Sequence, residues 1–225
     1  MELNEIESLI DVYLSKNKGL NDQYEKIKYN DELKAIFEEE TKQYWQLCAI
    51  VAIYSGTDCW RLNSYLRGIP MPNSTDRLNA FSKLLSYTLV QLHSCNDCTL
   101  YRNELVVKEQ RQAVYDWYRE RIGKFVYQPG FLSTSYSEQD HENRVMFKIH
   151  SKSDWSNAKD IRPIIEQYQP ARNKREQEIL YNKCTTFRID AIENNFIILK
   201  EKKNETSEAS IELSASYWDI PEMLS

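Results

Sequence analysis

The first half of the chain repeats apolar residues every three or four positions, a spacing that gathers them on one face of a helix. The pattern predicts helices over residues 2–16, 31–54 and 76–92. The apolar face of the third helix consists of Leu78, Phe81, Leu85, Leu89 and Leu92. Because such faces pack against a core, we expect these helices to act as scaffold.

From residue 99 the pattern changes to short apolar or alternating runs bounded by turn residues, which is typical of strands. The predicted strands are TLYR (99–102), FLSTS (131–135), RVMFKIH (144–150), EQEILY (176–181), TTFRIDAI (185–192) and NFIILK (195–200). One more helix is predicted over 106–119, and the polar stretch 200–210 fits a hairpin connection.

The order of these elements predicts an α+β fold with the helices first. The length of 225 residues suits one substantial core, and we expect a single domain over residues 1–225. Its helical part covers about 1–95 and its β-rich part about 98–215.

The charge balance is 34 acidic against 29 basic side chains, a net charge of -5. It provides no broad cationic field for nucleic-acid phosphates, although a local basic patch remains open. The N-terminal sequence MELNEIESLIDVYLSKNKG lacks the basic start and the continuous apolar run of a secretory signal. With no membrane-length apolar run either, we expect a cytoplasmic protein, or one delivered into a target-cell cytosol without a cleaved signal.

Five cysteines are an odd number, and in a chain without a secretory signal they predict reduced thiols rather than a disulfide framework. His93, Cys95 and Cys98 form an H-X-C-X-X-C cluster with metal-like spacing but without a clear second pair of ligands. Incidental spacing is the more common explanation, so no metal is expected.

Two carboxylates, Glu176 and Glu178, lie two positions apart in a predicted strand and therefore share one face of it. A solvated face is the usual setting of such a pair, whereas two acids that line a cleft indicate a site. The motif alone does not choose between these alternatives.

Two other strands end in polar groups. Ser133, Thr134 and Ser135 close an apolar run with hydroxyls that can hydrogen-bond to a carboxylate or ligand, although a turn rich in such residues is the simpler interpretation. Arg102 ends the strand TLYR with a guanidinium that needs an anionic partner, which a structural ion pair would also supply.

The order of the three segments, arginine, then Ser-Thr-Ser, then Glu-X-Glu, resembles the arginine/serine/glutamate class of mono-ADP-ribosyltransferases. The upstream segments 54–56 (Tyr-Ser-Gly) and 62–68 (Leu-Asn-Ser-Tyr-Leu-Arg-Gly) are similar to a tyrosine and a helical Leu-Arg motif of that family. The resemblance implies N-terminal helices followed by a split mixed β-sandwich with NAD between two sheets. It also agrees with the absence of a G-X-G-X-X-G sequence.

The family resemblance implies that NAD is the substrate and that no metal is needed. Arg102 would hold the NAD phosphates, with Arg67 as a second contact. Ser133 would fix the catalytic glutamate. The implied NAD-binding residues are Arg102, Arg67, Ser133, Thr134, Ser135, Tyr54 and Asn63.

Glu178 is the implied catalytic carboxylate, because cleavage of the nicotinamide–ribose bond develops positive charge on the sugar. Glu176 would receive the acceptor, and a glutamate at this position accompanies arginine acceptors in the family. With Ser133 and Arg102 these acids complete the implied catalytic set. The resemblance implies a bacterial toxin or effector that modifies an arginine on a protein and that an immunity protein could neutralise.

The segment just before the glutamate pair leaves the identity of the ADP-ribose acceptor open. The segment 173–175, Asn-Lys-Arg, stands where many relatives carry an aromatic residue, and its cations would attract an acidic or phosphate-rich surface. A toxin that modifies RNA, as in a toxin–antitoxin or phage-defence system, is therefore an alternative. A second alternative is a module that binds NAD without turning it over. Asn103 replaces a glycine that relatives often have after the arginine.

Overall fold

The computed structural model describes residues 1–15, 17–41, 44–71, 74–138, 144–151, 155–169, 177–203 and 211–213. The chain divides into two compact units. The first contains residues 1–93 and 160–176, and the second contains residues 94–159 and 177–225. The chain thus passes from one unit to the other three times, and neither unit is a continuous stretch of sequence.

The first unit is helical. Its helices are α1 (Leu3–Leu14), α2 (Lys18–Lys28), α3 (Asp31–Thr41), α4 (Trp45–Ile53), α5 (Cys59–Leu66) and α6 (Thr75–Gln91), and a later helix, α8 (Arg162–Tyr168), returns to it. Helix α4 is buried from Gln46 to Ile53, which agrees with its almost uninterrupted apolar sequence. Helices α1 and α6 pack through stacked rings of Tyr13 and Phe81, whose centroids are 4.1 Å apart.

The predicted helices 2–16 and 76–92 are confirmed as α1 and α6, whereas the predicted helix 31–54 is two helices. The backbone at Tyr44 is extended, which ends any continuous helix before α4 begins. Helix α2 was not predicted because its sequence is mostly polar. Its buried residues are Leu20, Tyr24 and Ile27. Asn17 nevertheless caps it, since its side chain accepts a hydrogen bond from the backbone N–H of Leu20 at 3.1 Å.

The second unit is built on a mixed sheet. Its strands are β1 (Thr99–Leu105), β2 (Phe125–Gln128), β3 (Leu132–Ser135), β4 (Arg144–His150), β5 (Ala158–Asp160), β6 (Glu178–Tyr181), β7 (Thr185–Glu193), β8 (Phe196–Lys202) and β9 (Ile211–Glu212). They are joined in the order β5-β6-β3-β1-β4-β8-β7-β2-β9. Strand β4 runs parallel to β8, and β2 runs parallel to β9. The predicted α+β fold with the helices first is confirmed.

The core of the second unit lies on one face of this sheet. Helix α7 (Arg111–Arg119) contributes Val114, Trp117 and Tyr118, and the Tyr118 ring meets that of Phe147 on β4 edge to face at 5.6 Å. The predicted helix over 106–119 begins only at residue 111, after a short 3₁₀ turn over residues 108–110.

The strand predictions are largely confirmed. Strand β1 extends three residues beyond its predicted end, to Leu105, because it pairs with β4 along its full length. Strands β2 and β5 were not predicted, since four and three residues are too short for a periodic signal. Most of the predicted hairpin connection at 200–210 lies outside the described residues; β8 continues to Lys202.

Candidate active site

Arg102 lies in β1, where strands β1 and β3 meet. Its Nη1 donates a hydrogen bond to the carbonyl oxygen of Ser133 on β3 at 2.8 Å. Its Nε and Nη2 contact one carboxylate oxygen of Glu104 at 2.6 and 2.5 Å. The guanidinium is therefore held by contacts on two neighbouring strands, β1 and β3. The contact on β3 is with the Ser-Thr-Ser segment that follows the arginine in the family motif.

The residues of the Ser-Thr-Ser segment form β3, which connects β1 to β6. Thr134 is buried, and its Oγ1 donates a hydrogen bond to the carbonyl oxygen of Ile179 at 2.9 Å. Ser135 is aligned with Tyr101 of β1 on one side and with Glu178 of β6 on the other. This strand therefore fixes the register between the arginine strand and the glutamate strand.

Glu178 is the first residue of β6 and is only 3% exposed. It pairs with Ser135, and Ser133 pairs with Leu180. Since residues two apart on a strand share a face, Ser133, Ser135 and Glu178 lie on the same face of the two strands. The usual setting of a Glu-X-Glu motif is a solvated strand face. The buried carboxylate of Glu178, on the same face as two hydroxyls, does not have that setting.

Gln177 lies within the strand predicted over residues 176–181 but outside β6. Its φ of 44° is left-handed, and β6 begins only at the next residue. Glu176 lies outside the described residues, as does the segment 173–175 with its two cations, so the shared strand face of Glu176 and Glu178 stays a prediction. The sequence pattern could not reveal this turn because Gln is not a typical left-handed residue.

Asn103, the residue that stands in place of the family's glycine, also has a contact. Its Oδ1 accepts a hydrogen bond from Nη1 of Arg144 at 2.7 Å, which ties the start of β4 to β1. Glu104 was not identified from the sequence. Its position two residues after Arg102 on a strand was the available signal, since such residues share a face.

In the first unit, two further residues of the predicted set lie together. Nδ2 of Asn63 in α5 donates a hydrogen bond to the Tyr54 hydroxyl at 3.1 Å. Tyr54 begins a π-helical turn over Tyr54–Asp58, a feature that often marks functional positions. A Cβ on Gly56 in this turn would be 2.9 Å from the side-chain nitrogen of Gln169, so the absence of a side chain allows the close approach.

Arg67 follows α5 in the first unit, and its Nε atom is buried without a hydrogen-bond partner among the described residues. A buried, unsatisfied guanidinium nitrogen is costly, and an anionic ligand would satisfy it. A phosphate of NAD, the substrate that the family resemblance implies, would be such a ligand.

The cysteines correct one expectation. Cys95 and Cys98 form a disulfide, with their Cα atoms 6.2 Å apart, and the left-handed backbone at Asp97 closes the short loop between them. Cys48, Cys59 and Cys184 are not part of a disulfide, so the expectation of reduced thiols is wrong for Cys95 and Cys98. Within the described ranges, no group of three or more His, Cys, Asp or Glu side chains is arranged to hold a metal ion.

A buried carboxylate of β8, Glu201, was missed as well. It is fully buried and accepts hydrogen bonds from Ser156 Oγ at 2.7 Å, Ser151 Oγ at 3.0 Å and the backbone N–H of Asn157 at 2.6 Å. The carbonyl of Asn157 in turn accepts a hydrogen bond from the N–H of Asn182, just after β6. Glu201 thus anchors the segment that borders β6 at the edge of the sheet.

As far as the described helices go, none combines the length and the apolar character needed to cross a membrane. No curated protein sequence matches the chain.

Solved structures of ADP-ribosyltransferases have the same fold. HopU1 of Pseudomonas syringae pv. Tomato superposes with a TM-score of 0.63 at 19% identity, covering 90% of this chain and 98% of HopU1. The C3 exoenzyme of Clostridium limosum gives 0.58 at 18% identity, over 80% of this chain and 95% of C3. The Vibrio splendidus toxin Vis, in complex with agmatine, gives 0.54 at 16% identity, over 89% and 94%.

The family model for the ADP-ribosyltransferase exoenzyme matches residues 28–213, which is most of the chain. The matched range includes the Arg102, Ser133 and Glu178 strands as well as the Tyr54 and Asn63 pair. It thus covers every position on which the resemblance was based. The chain belongs to the ADP-ribosyltransferase exoenzyme family, whose members use NAD as the substrate of mono-ADP-ribosyl transfer.

Proposed function

We propose that the chain cleaves NAD and transfers ADP-ribose to the guanidinium of an arginine on an acceptor protein, as a toxin or effector acting in a cytosol. The observation that carries this proposal is the alignment of β1, β3 and β6. Arg102 is hydrogen-bonded to Ser133, and Ser135 is paired with the buried Glu178. Three strands therefore supply the cation, the hydroxyls and the carboxylate in adjoining positions.

In this proposal Glu178 stabilises the reacting sugar. The bond between C1′ of the ribose and the nicotinamide nitrogen breaks, nicotinamide leaves with the bonding electron pair, and positive charge spreads over C1′ and the ring oxygen. A carboxylate held beside the ribose favours that charge, as the carboxylates of glycosidases do. Burial strengthens the effect because little water competes for the carboxylate.

Ser133 and Thr134 keep this carboxylate in place. Thr134 does so through its bond to the carbonyl of Ile179, the residue directly after Glu178. Ser133 shares the face of Glu178, and its hydroxyl is proposed to donate a hydrogen bond to the carboxylate. Ser135, directly opposite, lines the same face.

Arg102 and Arg67 are proposed to bind the two phosphates of NAD. A guanidinium suits this purpose because its planar set of N–H donors matches phosphate oxygens. The buried, unsatisfied Nε of Arg67 supports its assignment. Tyr54 and Asn63 are proposed to contact NAD as a hydrogen-bonded pair.

Glu176 is proposed to orient the acceptor. A carboxylate can hold a guanidinium by two contacts and accept the proton that the attacking nitrogen loses when it bonds to C1′. The Vis complex with agmatine, itself a guanidine compound, supports an arginine-like acceptor for this fold. With water in place of arginine, the same site would hydrolyse NAD slowly.

The test uses the purified chain, its Glu178→Gln variant and, as a matched control, Glu193→Gln at the exposed last position of β7. Each is incubated with labelled NAD and a cell lysate, and parallel samples are treated with protease or ribonuclease. We expect label that protease removes, that hydroxylamine releases from arginine, and that the Glu178 variant alone lacks. Nicotinamide release should fall at least about 100-fold in that variant.

Four results would contradict the proposal in different ways. Label that ribonuclease removes would move the acceptor to RNA. Protein-bound label resistant to hydroxylamine would exclude arginine. Tight NAD binding without nicotinamide release in the wild type would support a binding module, and an unchanged rate in the Glu178 variant would remove the assigned catalytic group.

A further inference from the structure

The carboxylate of Glu104 is a charged partner of Arg102 at hydrogen-bonding distance. One oxygen of Glu104 lies 2.6 Å from Nε and 2.5 Å from Nη2 of Arg102. The two residues are two positions apart on β1, so the strand itself places both side chains on one face. Both side chains are about one-quarter exposed, at 22% and 26%.

We propose that Glu104 is a positioning residue for NAD, which holds the guanidinium of Arg102 in the orientation that receives the phosphates. The inference rests on the proposed function, because it assumes that Arg102 binds NAD. It adds a residue that the family resemblance did not assign and that does not itself touch the reacting atoms.

The first effect of Glu104 is on the orientation of Arg102. Glu104 contacts Nε and Nη2, and the Ser133 carbonyl accepts from Nη1, so the three guanidinium nitrogens are restrained from two sides. A planar group restrained in this way cannot rotate about its long axis without losing a contact. A mobile arginine would have to be immobilised when the phosphates bind, and that ordering weakens affinity.

The second effect of Glu104 comes from its negative charge. A carboxylate so close to the guanidinium offsets part of the cost of keeping this cation partly out of water. The same carboxylate repels phosphate, so its effect on NAD affinity has two opposing parts. We expect the orienting effect on Arg102 to outweigh the repulsion of phosphate. The contact to Nε holds the guanidinium where it joins the aliphatic part of the side chain.

A second strand provides a matched control. Arg188 and Asp190 form the same i, i+2 arginine–carboxylate pair on β7, with Nε and Oδ1 2.5 Å apart and similar exposure, 38% and 24%. Removing Asp190 therefore removes an equivalent ion pair from the same unit without touching Arg102. Any general loss of stability should appear in both variants.

The experiment compares Glu104→Ala, Glu104→Gln and Asp190→Ala with the wild type. Nicotinamide release gives kcat and KM for NAD, and calorimetric titration with carba-NAD, a non-cleavable analogue, gives Kd. For Glu104→Ala we expect KM and Kd to rise about tenfold with kcat within about twofold. Glu104→Gln keeps an acceptor oxygen and should recover most of the affinity, while Asp190→Ala should match the wild type.

A double variant completes the test. In an Arg102→Ala background, Glu104→Ala should not weaken NAD binding any further, because the residue that Glu104 orients is absent. Tighter or unchanged binding in Glu104→Ala, a fall in kcat at constant KM, or an equal effect of Asp190→Ala would overturn the inference. If the wild type neither binds carba-NAD nor releases nicotinamide, the proposed function fails first, and the inference with it.

Discussion

Nη1 of Arg102 donates a hydrogen bond to the backbone carbonyl of Ser133 at 2.8 Å, and this bond joins the arginine strand to the Ser-Thr-Ser strand. Because its acceptor is a backbone atom, the bond does not depend on the side chain at position 133. Substitutions of the two residues should therefore have separable effects.

Arg102→Lys should lower kcat/KM for NAD by about 10- to 100-fold, since a lysine keeps the charge but loses the planar fork and one or two charge-assisted hydrogen bonds. The loss should appear in nicotinamide release while the melting temperature stays within a few degrees. Ser133→Ala, which retains the backbone acceptor, is the companion variant and should reduce kcat rather than NAD affinity. Equal kinetics for Arg102→Lys and wild type would contradict the phosphate-binding assignment.

Thr134→Val should destabilise the protein by about 1–2 kcal/mol, because it leaves the buried carbonyl of Ile179 without the hydroxyl donor at 2.9 Å. Thr134→Ser keeps the hydroxyl and serves as the control. Urea denaturation gives the free energy of unfolding for each. If the serine variant were as unstable as the valine variant, the hydrogen bond would not be the source of the loss.

Glu201→Ala should cost about 3 kcal/mol of unfolding free energy, since it leaves the donors of Ser151, Ser156 and Asn157 unsatisfied in a buried site. The exposed Glu193→Ala should change stability by less than about 0.5 kcal/mol. Chemical denaturation of the two variants provides the comparison. A small effect at Glu201 would mean that the segment beside β6 is held by other contacts.

His150 makes stability depend on pH. Burial, together with the nearby Lys148, lowers the pKa of His150 below its usual value of 6.5, despite the opposing effect of Asp190. The unfolded chain therefore binds this proton more readily, so stability should fall as the pH drops below about 6.5. His150→Gln should lose part of that dependence between about pH 7 and pH 5. An unchanged pH profile of the melting temperature would contradict this.

The two units should unfold together, as the single domain over residues 1–225 that the sequence predicts. Each unit is built from separated stretches of the chain, so unfolding one requires the other to release a connecting segment. One coincident transition by far-ultraviolet circular dichroism and by tryptophan fluorescence is the expected result. Two separated transitions would show independent domains.

Much of the fold could be predicted from the sequence, because long elements carry a periodic signal. The seventeen residues of α6 and the seven of β4 match their predicted spans closely. The four-residue β2 and the break before α4 could not be predicted, since tertiary pairing and local backbone geometry decide them.

At the site, residue order along the chain predicts Arg102 and Glu178, because the family motif specifies both, and their roles stay predictions. Contacts were a different matter. The bond from Thr134 to Ile179 does not follow from composition or spacing, since it depends on which strands become neighbours. For Arg102 and Glu104, the spacing along β1 indicated only a shared strand face and not the ion pair itself. The disulfide of Cys95 and Cys98 was missed because a general expectation from cell compartment outweighed their local spacing.

Gln177 has a left-handed backbone, so the substitutions that position 177 tolerates should be those whose residues adopt a positive φ. Glycine and asparagine reach positive φ at little cost, whereas valine and isoleucine do so only with strain. A saturation library at this position should therefore retain the first two residues and lose the β-branched ones, although every member keeps the adjacent carboxylate of Glu178. Substitutions at position 177 thus alter the backbone that precedes Glu178 while the carboxylate itself is kept.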